Sequence, residues 1–146
     1  MTELRISTDK HALDVDLVHR FLSTEAYWSP GIPRDTVERA IAGSLCFGGY
    51  VEGAGQVAFA RVVSDFATFA WLADVFVLPE HRGRGYSKQL IAAVMAHPQL
   101  QGLRRFMLGT WDAHDLYTQF GFVPFARPDR MLEIQHADLY RTAPAA

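Results

Sequence analysis

Cysteine is nearly absent from this 146-residue chain, with Cys46 standing alone. A single thiol forms no internal disulfide and fits a reducing compartment. It lies in the apolar run Leu45-Cys46-Phe47 and reads as a small core residue, not a nucleophile. No stretch reads as a signal peptide and no run of 18 apolar residues occurs, so the expected location is cytoplasmic, with no membrane partner. Positive charge is not in excess either. The formal net charge is −2, which provides no global basic field for a nucleic acid. Repeats and low-complexity stretches are missing, and no metal is expected. What is there is ordinary for a globular protein: 49% hydrophobic and 21% charged residues, enough for one domain over 1–146 with a real core.

Patterning divides the chain into alternating elements. Leu4-Arg5-Ile6 predicts a short first strand. Leu13, Leu17, Val18, Phe21 and Leu22 fall at helical spacing and predict a helix over 12–23. The break Ser29-Pro30-Gly31-Ile32-Pro33 follows, and Pro33 opens a second helix closed by Gly43. Strands are expected over 45–51, 56–63 and 68–78, the first two joined by the hairpin turn Glu52-Gly53-Ala54-Gly55. A helix over 87–96 ends before Pro98. A strand over 104–109 should run parallel to 68–78 through a right-handed crossover. Asp112 is expected to cap a short helix ending at Phe120, with Gly121 as terminator. Residues 122–125 and 131–134 predict two closing strands, and 142–146 a frayed tail. The fold class is therefore mixed α/β (α+β), with a mostly antiparallel sheet flanked by helices.

The most informative stretch is Leu78-Pro79-Glu80-His81-Arg82-Gly83-Arg84-Gly85-Tyr86-Ser87-Lys88, between a strand and a helix N-terminus. First-turn amides and the positive end of the helix dipole make such a place an anion site. Two glycines let the backbone close around the anion, and Arg82, Arg84 and Lys88 add charge. A P-loop is excluded by spacing, and the dinucleotide pattern G-x-G-x-x-G has Lys88 at its third glycine. A plain surface turn with solvated cations is the alternative.

The stretch Arg82-Gly83-Arg84-Gly85-Tyr86-Ser87 resembles the pyrophosphate loop [Q/R]-x-x-G-x-[G/A] of the GNAT superfamily of acetyl-CoA-dependent N-acyltransferases, with Ser87 in the last place. Downstream, Leu116-Tyr117-Thr118-Gln119-Phe120-Gly121-Phe122 is similar to the superfamily's L-Y-x-x-x-G-F block. The resemblance implies a splayed parallel strand pair that binds the coenzyme. It places the pantetheine arm on the backbone of Phe76, Val77 and Leu78, and the pyrophosphate on Arg82, Gly83, Arg84, Gly85, Tyr86, Ser87 and Lys88. It implies acetyl transfer to a primary amine of a small molecule or peptide by direct attack. Tyr117 is then the general acid, and a homodimer is common among such proteins. A non-catalytic CoA-binding or regulatory module of the same fold is the alternative.

Asp74, near the expected amine entry, is the candidate base or counter-charge, with His114 as a second candidate; an ordinary structural role competes for each. Glu25, Tyr27, Trp28 and Trp71 are candidate acceptor-binding residues, joined by Trp111 in an aromatic box or else part of the core.

Overall fold

A single five-stranded sheet, in the order β1-β2-β3-β4-β5, organises the computed structural model, which describes residues 3–141. The strands are β1 (Leu4–Ser7), β2 (Leu45–Val51), β3 (Gly55–Ser64), β4 (Phe69–Val77) and β5 (Arg105–Leu108). The first four pair antiparallel, and β5 pairs parallel to β4. The helices are α1 (Val15–Thr24), α2 (Arg34–Ala42), α3 (Tyr86–Ala96) and α4 (His114–Thr118). The mixed α/β class and the parallel fourth–fifth strand pair are as the sequence predicts.

Both faces of the sheet are covered, because neighbouring strand residues point to opposite sides. Ala58, Ala60 and Val62 of β3 share one cluster with Leu90, Ile91 and Val94 of α3. Phe59, Cys46 and Phe76 share the other with Val18, Phe21 and Leu22 of α1. Phe21 stacks on Phe76 at a centroid distance of 4.0 Å, which fixes α1 across β4. Burying each such ring contributes about 1.5–3 kcal/mol. Cys46 is a core residue as expected, and burial pushes its thiol up to about 11.

Local chemistry moves several boundaries. The first helix starts at Val15 because the Asp14 carboxylate accepts from the Leu17 amide; a one-turn 3-10 helix at Lys10–Ala12 precedes it. The short fourth helix covers only His114–Thr118, and its cap is not Asp112. The Thr110 hydroxyl oxygen accepts instead from the amides of Ala113 and Asp112.

The largest departure is at the end of the chain. Residues 122–125 and 131–134 form no strand and pair with none among the described residues. Their apolar alternation is that of strands, yet Leu132 is 94% and Ile134 91% exposed. The expectation for residues 142–146 lies outside the described residues.

Two irregularities in β4 prepare the site. Against β3, Ala73 pairs with Arg61 and Phe76 with Phe59, so Asp74 and Val75 stand opposite Ala60 alone. This is a β-bulge, and Asp74 carries it with φ of 55°, a conformation few non-glycine residues adopt. Against β5, pairing stops at Leu72–Leu108, although β4 continues to Val77. Beyond that point β4 and β5 no longer hydrogen-bond, and a gap opens between them.

Candidate functional site

The gap leads into a cleft of about 430 Å³. Its walls come from the α1–α2 loop (Glu25, Ala26, Tyr27, Trp28), the bulged half of β4 (Ala73 to Val77), the glycine loop and start of α3 (Arg82, Gly83, Gly85, Tyr86, Ser87), and the segment after β5 (Thr110, Asp112, Ala113, Leu116, Tyr117). Residues that the sequence separates by more than ninety positions thus face one space.

The loop half is an anion cradle by construction. Gly83 and Gly85 have φ of 78° and 80°, and a Cβ on either meets nothing within 4 Å. The α3 N-terminus has no side-chain cap and no carboxylate in its first turn. Its first amides have no partner inside the helix, so they and the dipole face the open space. The Nδ1 of His81, which also lines the cleft, is buried without a hydrogen-bond partner among the described residues. This donor set suits a pyrophosphate. The guanidinium of Arg82 has another task, since its Nε donates to the Val77 carbonyl at 2.9 Å. That bond ties the loop to the end of β4. Arg84 and Lys88 lie outside the cleft walls.

On β4, backbone alternation separates the three expected coenzyme contacts. The Leu78 amide donates to the Val57 carbonyl at 2.8 Å, so it points toward β3 and is unavailable. Neighbouring residues direct their amides to opposite edges, which turns the Val77 N–H into the gap and the Phe76 N–H away from it. The Phe76 ring is committed to the core. Val77 is therefore a β4 residue whose donor faces the gap, while the Phe76 and Leu78 amides lie on the β3 side; Phe76 and Val77 both line the cleft and Leu78 does not.

Tyr117 closes the far side. It is buried to 8% exposure, its ring meets Phe122 edge-on at 6.0 Å, and its hydroxyl has no hydrogen-bond partner among the described residues. Burial, with Tyr27 and Asp112 nearby, pushes its phenol up to about 12.

Asp74 is differently placed than a base requires. Its Oδ2 accepts from the Arg61 Nε at 2.9 Å and its Oδ1 from the Trp28 indole at 2.8 Å. Arg61 in turn donates to the Ser44 hydroxyl. The carboxylate is thus a clamp that holds Trp28 at the cleft and balances Arg61, with side-chain exposures of 12% and 19% for Asp74 and Arg61. Sequence reasoning missed Arg61; an arginine inside the apolar run Val57-Ala58-Phe59-Ala60-Arg61-Val62-Val63 was the available signal. Removing the carboxylate strands a mostly buried guanidinium, which costs about 3 kcal/mol. Asp74→Ala should lower the melting temperature by about 10 °C and Asp74→Asn by less, because the amide oxygen still accepts from Trp28. Equal melting temperatures for wild type and Asp74→Ala in a thermal scan would contradict the clamp.

Three of the four tryptophan and tyrosine candidates form a group. Tyr27 stacks on Trp111 at 3.8 Å and meets Trp28 edge-on at 4.9 Å. Trp71 stands apart, its ring against Gly109, and does not line the cleft. The loop carrying Tyr27 and Trp28 is tied down by the buried Ser29 hydroxyl, which donates to the Leu22 carbonyl at 2.8 Å. Glu25 and Asp112 line the cleft and form no ion pair among the described residues. His114 faces a different cavity, along β5. No group of three or more metal-ligating side chains is found among the described residues, and no helix there is long and apolar enough to cross a membrane.

Comparison with known proteins agrees with this geometry. The family model of the acetyltransferase (GNAT) domain matches residues 43–124, which run from β2 through the glycine loop to the end of the Tyr117 block. A Gibberella zeae protein named as an acetyltransferase by inference is 35% identical over 133 residues, covering 77% of this chain and 74% of its own length. A crystal structure of a Xanthomonas campestris protein assigned to the GNAT family superposes with a TM-score of 0.94 at 59% identity, over 97% of this chain and 99% of that one. A Clostridium acetobutylicum acetyltransferase solved with acetyl-CoA shares the fold at a TM-score of 0.66 and 18% identity, over 92% of this chain and 96% of that one. The chain, with its strand splay, amide cradle and cleft tyrosine, belongs to the GNAT acetyltransferase family.

Proposed function

We propose that this protein is an N-acetyltransferase that moves the acetyl group of acetyl-CoA to a primary amine of a small molecule or peptide. The observation that carries the reading is the coincidence, in one cleft, of the β4–β5 gap, the uncapped α3 N-terminus and Tyr117.

Acetyl-CoA supplies an activated thioester. The amides of the 83–88 loop hold its pyrophosphate, and the Val77 N–H offers a hydrogen bond to the acetyl carbonyl oxygen as charge builds there. Tyr27 and Trp28 wall the acceptor side, Trp111 stacks on Tyr27, and Glu25 and Asp112 are the carboxylates able to attract an ammonium. An alkylamine with a pKa of about 10.4 is only about 0.04% neutral at pH 7, a deficit of about 4.6 kcal/mol. Glu25 or Asp112, through water, therefore takes the role of base first expected of Asp74, whose two oxygens are occupied. Tyr117 holds its proton throughout the neutral range and presents it to the sulfur as the C–S bond breaks. A phenol at about 12 is a weaker acid than a thiol near 8.5. Its donation is therefore a hydrogen bond that strengthens as the thiolate forms, and the amine nitrogen supplies the proton that finally resides on sulfur.

The test is release of free thiol from acetyl-CoA with a panel of polyamines, amino acids, aminoglycosides and peptides. Thiol release with at least one amine supports the reading; none with any, alongside acetyl-CoA binding, would favour a non-catalytic CoA-binding module. The pH profile adds a sharper check. With an active amine, kcat/KM should rise about tenfold per pH unit from about pH 7 to 9, as the amine deprotonates. Because the Tyr117 pKa is raised, the acid form persists and no falling limb from it should appear below about pH 10. A bell centred near neutrality would contradict the role given to Tyr117.

A further inference from the structure

Charge in the cleft is divided between its two ends. The glycine-loop end offers the free α3 amides and the Arg82 guanidinium. The opposite end is walled by residues 25–28, the bulged half of β4 and the segment after β5. The charged side chains lining it are Glu25, Asp74 and Asp112, with no lysine, arginine or histidine among the described residues. Arg61 behind the wall balances Asp74. Glu25 and Asp112 stand exposed and form no ion pair among the described residues, so this end keeps a negative field. A carboxylate or phosphate on an acceptor would find like charges there and no partner.

The same end carries a built apolar corner. The rings of Tyr27 and Trp28 meet at 86° and are 41% and 42% exposed. The Trp28 indole N–H is taken by Asp74, so the indole leaves carbon surface for a ligand. Trp111 backs Tyr27 in a stack. The Trp28–Asp74 bond and the Ser29 anchor hold the loop, which lowers the ordering cost of binding. A flat group lying on one ring of such a corner meets the other edge-on, and aromatic pairs favour both arrangements. A single exposed ring is ordinary; a tethered pair at the mouth of a cleft, beside two unpaired carboxylates, is a recognition surface.

We propose that the acceptor is a primary amine with a flat apolar body and no acidic group. Its ammonium is drawn by Glu25 and Asp112, its body lies in the Tyr27–Trp28 corner, and amines that carry a carboxylate or phosphate are turned away. The inference rests on the reading of this cleft as the acceptor site and names its substrate class. Glu25 and Asp112 set the charge preference, and Asp74 is a positioning residue that acts through Trp28.

Fluorescence titration tests it without turnover. Trp28 and Trp111, two of the three tryptophans, report occupancy of the mouth, on the protein alone and with CoA, where no acetyl group is present. The probes are 2-phenylethylamine and phenylalanine, which differ by one carboxylate, and 1,5-diaminopentane. 2-Phenylethylamine should bind at least about tenfold more tightly than phenylalanine and more tightly than the diamine. The first ratio should shrink severalfold between about 0.05 M and about 0.5 M salt. It should shrink likewise in the double variant Glu25→Gln/Asp112→Asn, which a steric exclusion of the carboxylate would not produce; should that variant unfold, the salt series decides. Equal binding of 2-phenylethylamine and phenylalanine, tighter binding of the diamine, or a ratio unmoved by salt would overturn the proposal. Thiol release from acetyl-CoA with the same amines separates the two readings. The expected binding order without thiol release sinks the reaction and leaves this inference standing, whereas faster release with phenylalanine than with 2-phenylethylamine overturns this inference alone.

Discussion

Replacing Tyr117 with phenylalanine lowers turnover by about 10²–10³-fold and leaves acetyl-CoA affinity unchanged. The substitution removes one oxygen whose hydrogen-bonding capacity no described residue uses. The ring keeps its place among Leu116, Phe120 and Phe122 in the cluster on the α3 face, so packing is preserved. What disappears is the donor proposed to meet the departing sulfur, an interaction made chiefly in the transition state. Because the phenol is held up at about 12, nothing else at the site is retuned by its loss. Steady-state thiol release and calorimetric binding, measured on the same preparation, separate the two quantities. A variant that turns over at the wild-type rate would make Tyr117 a packing residue.

Placing valine at Gly85 weakens acetyl-CoA binding by about 10–100-fold. Gly85 is the N-cap of α3 in the left-handed region, with φ of 80°. A β-branched residue there is strained, and its side chain would project into the space in front of the α3 amides, where nothing now lies within 4 Å. Losing one charge-assisted hydrogen bond to a phosphate costs about 1.5–3 kcal/mol, which gives the stated range. Gly53→Val is the control. Gly53 has φ of 82° and equally open surroundings, but it lies in the β2–β3 turn, remote from the cleft. It carries the same backbone strain and should leave affinity intact. If both variants lose affinity alike, general destabilisation explains the effect and the cradle does not.

The parts of the fold that were legible in the sequence are those set by local patterning. The glycine loop, the hairpin turns, α3 and its stop before Pro98 follow from residue types in short windows. The cleft residues Tyr117, Val77, Gly83, Gly85, Tyr27 and Trp28 were reachable because motif spacing and a turn-rich break mark them. For Asp74 the sequence left a base or counter-charge and an ordinary structural role open, and it could not choose between them. Its role depends on a bulge that only the β3–β4 register reveals, and on Arg61 and Trp28, which reach it from 13 and 46 residues away. Trp71 was misplaced for a related reason, since strand phase decides which face an aromatic occupies, and the bulge lies between Trp71 and the cleft half of β4. The closing strands failed differently. Residues 131–134 do carry a strand pattern, but pairing requires a partner edge, and their own chain does not bring them to one.

The central claim is that the gap between β4 and β5, closed below by the 83–88 loop, is a site for acetyl-CoA. Calorimetric titration of the wild-type protein with acetyl-CoA and, separately, with ATP tests it most directly. Both ligands carry a pyrophosphate, but only acetyl-CoA has the pantetheine arm that the strand gap accommodates. The expected result is saturable binding of acetyl-CoA, abolished or sharply weakened in Gly85→Val, with weak or no binding of ATP. Tight binding of ATP with none of acetyl-CoA would contradict the account.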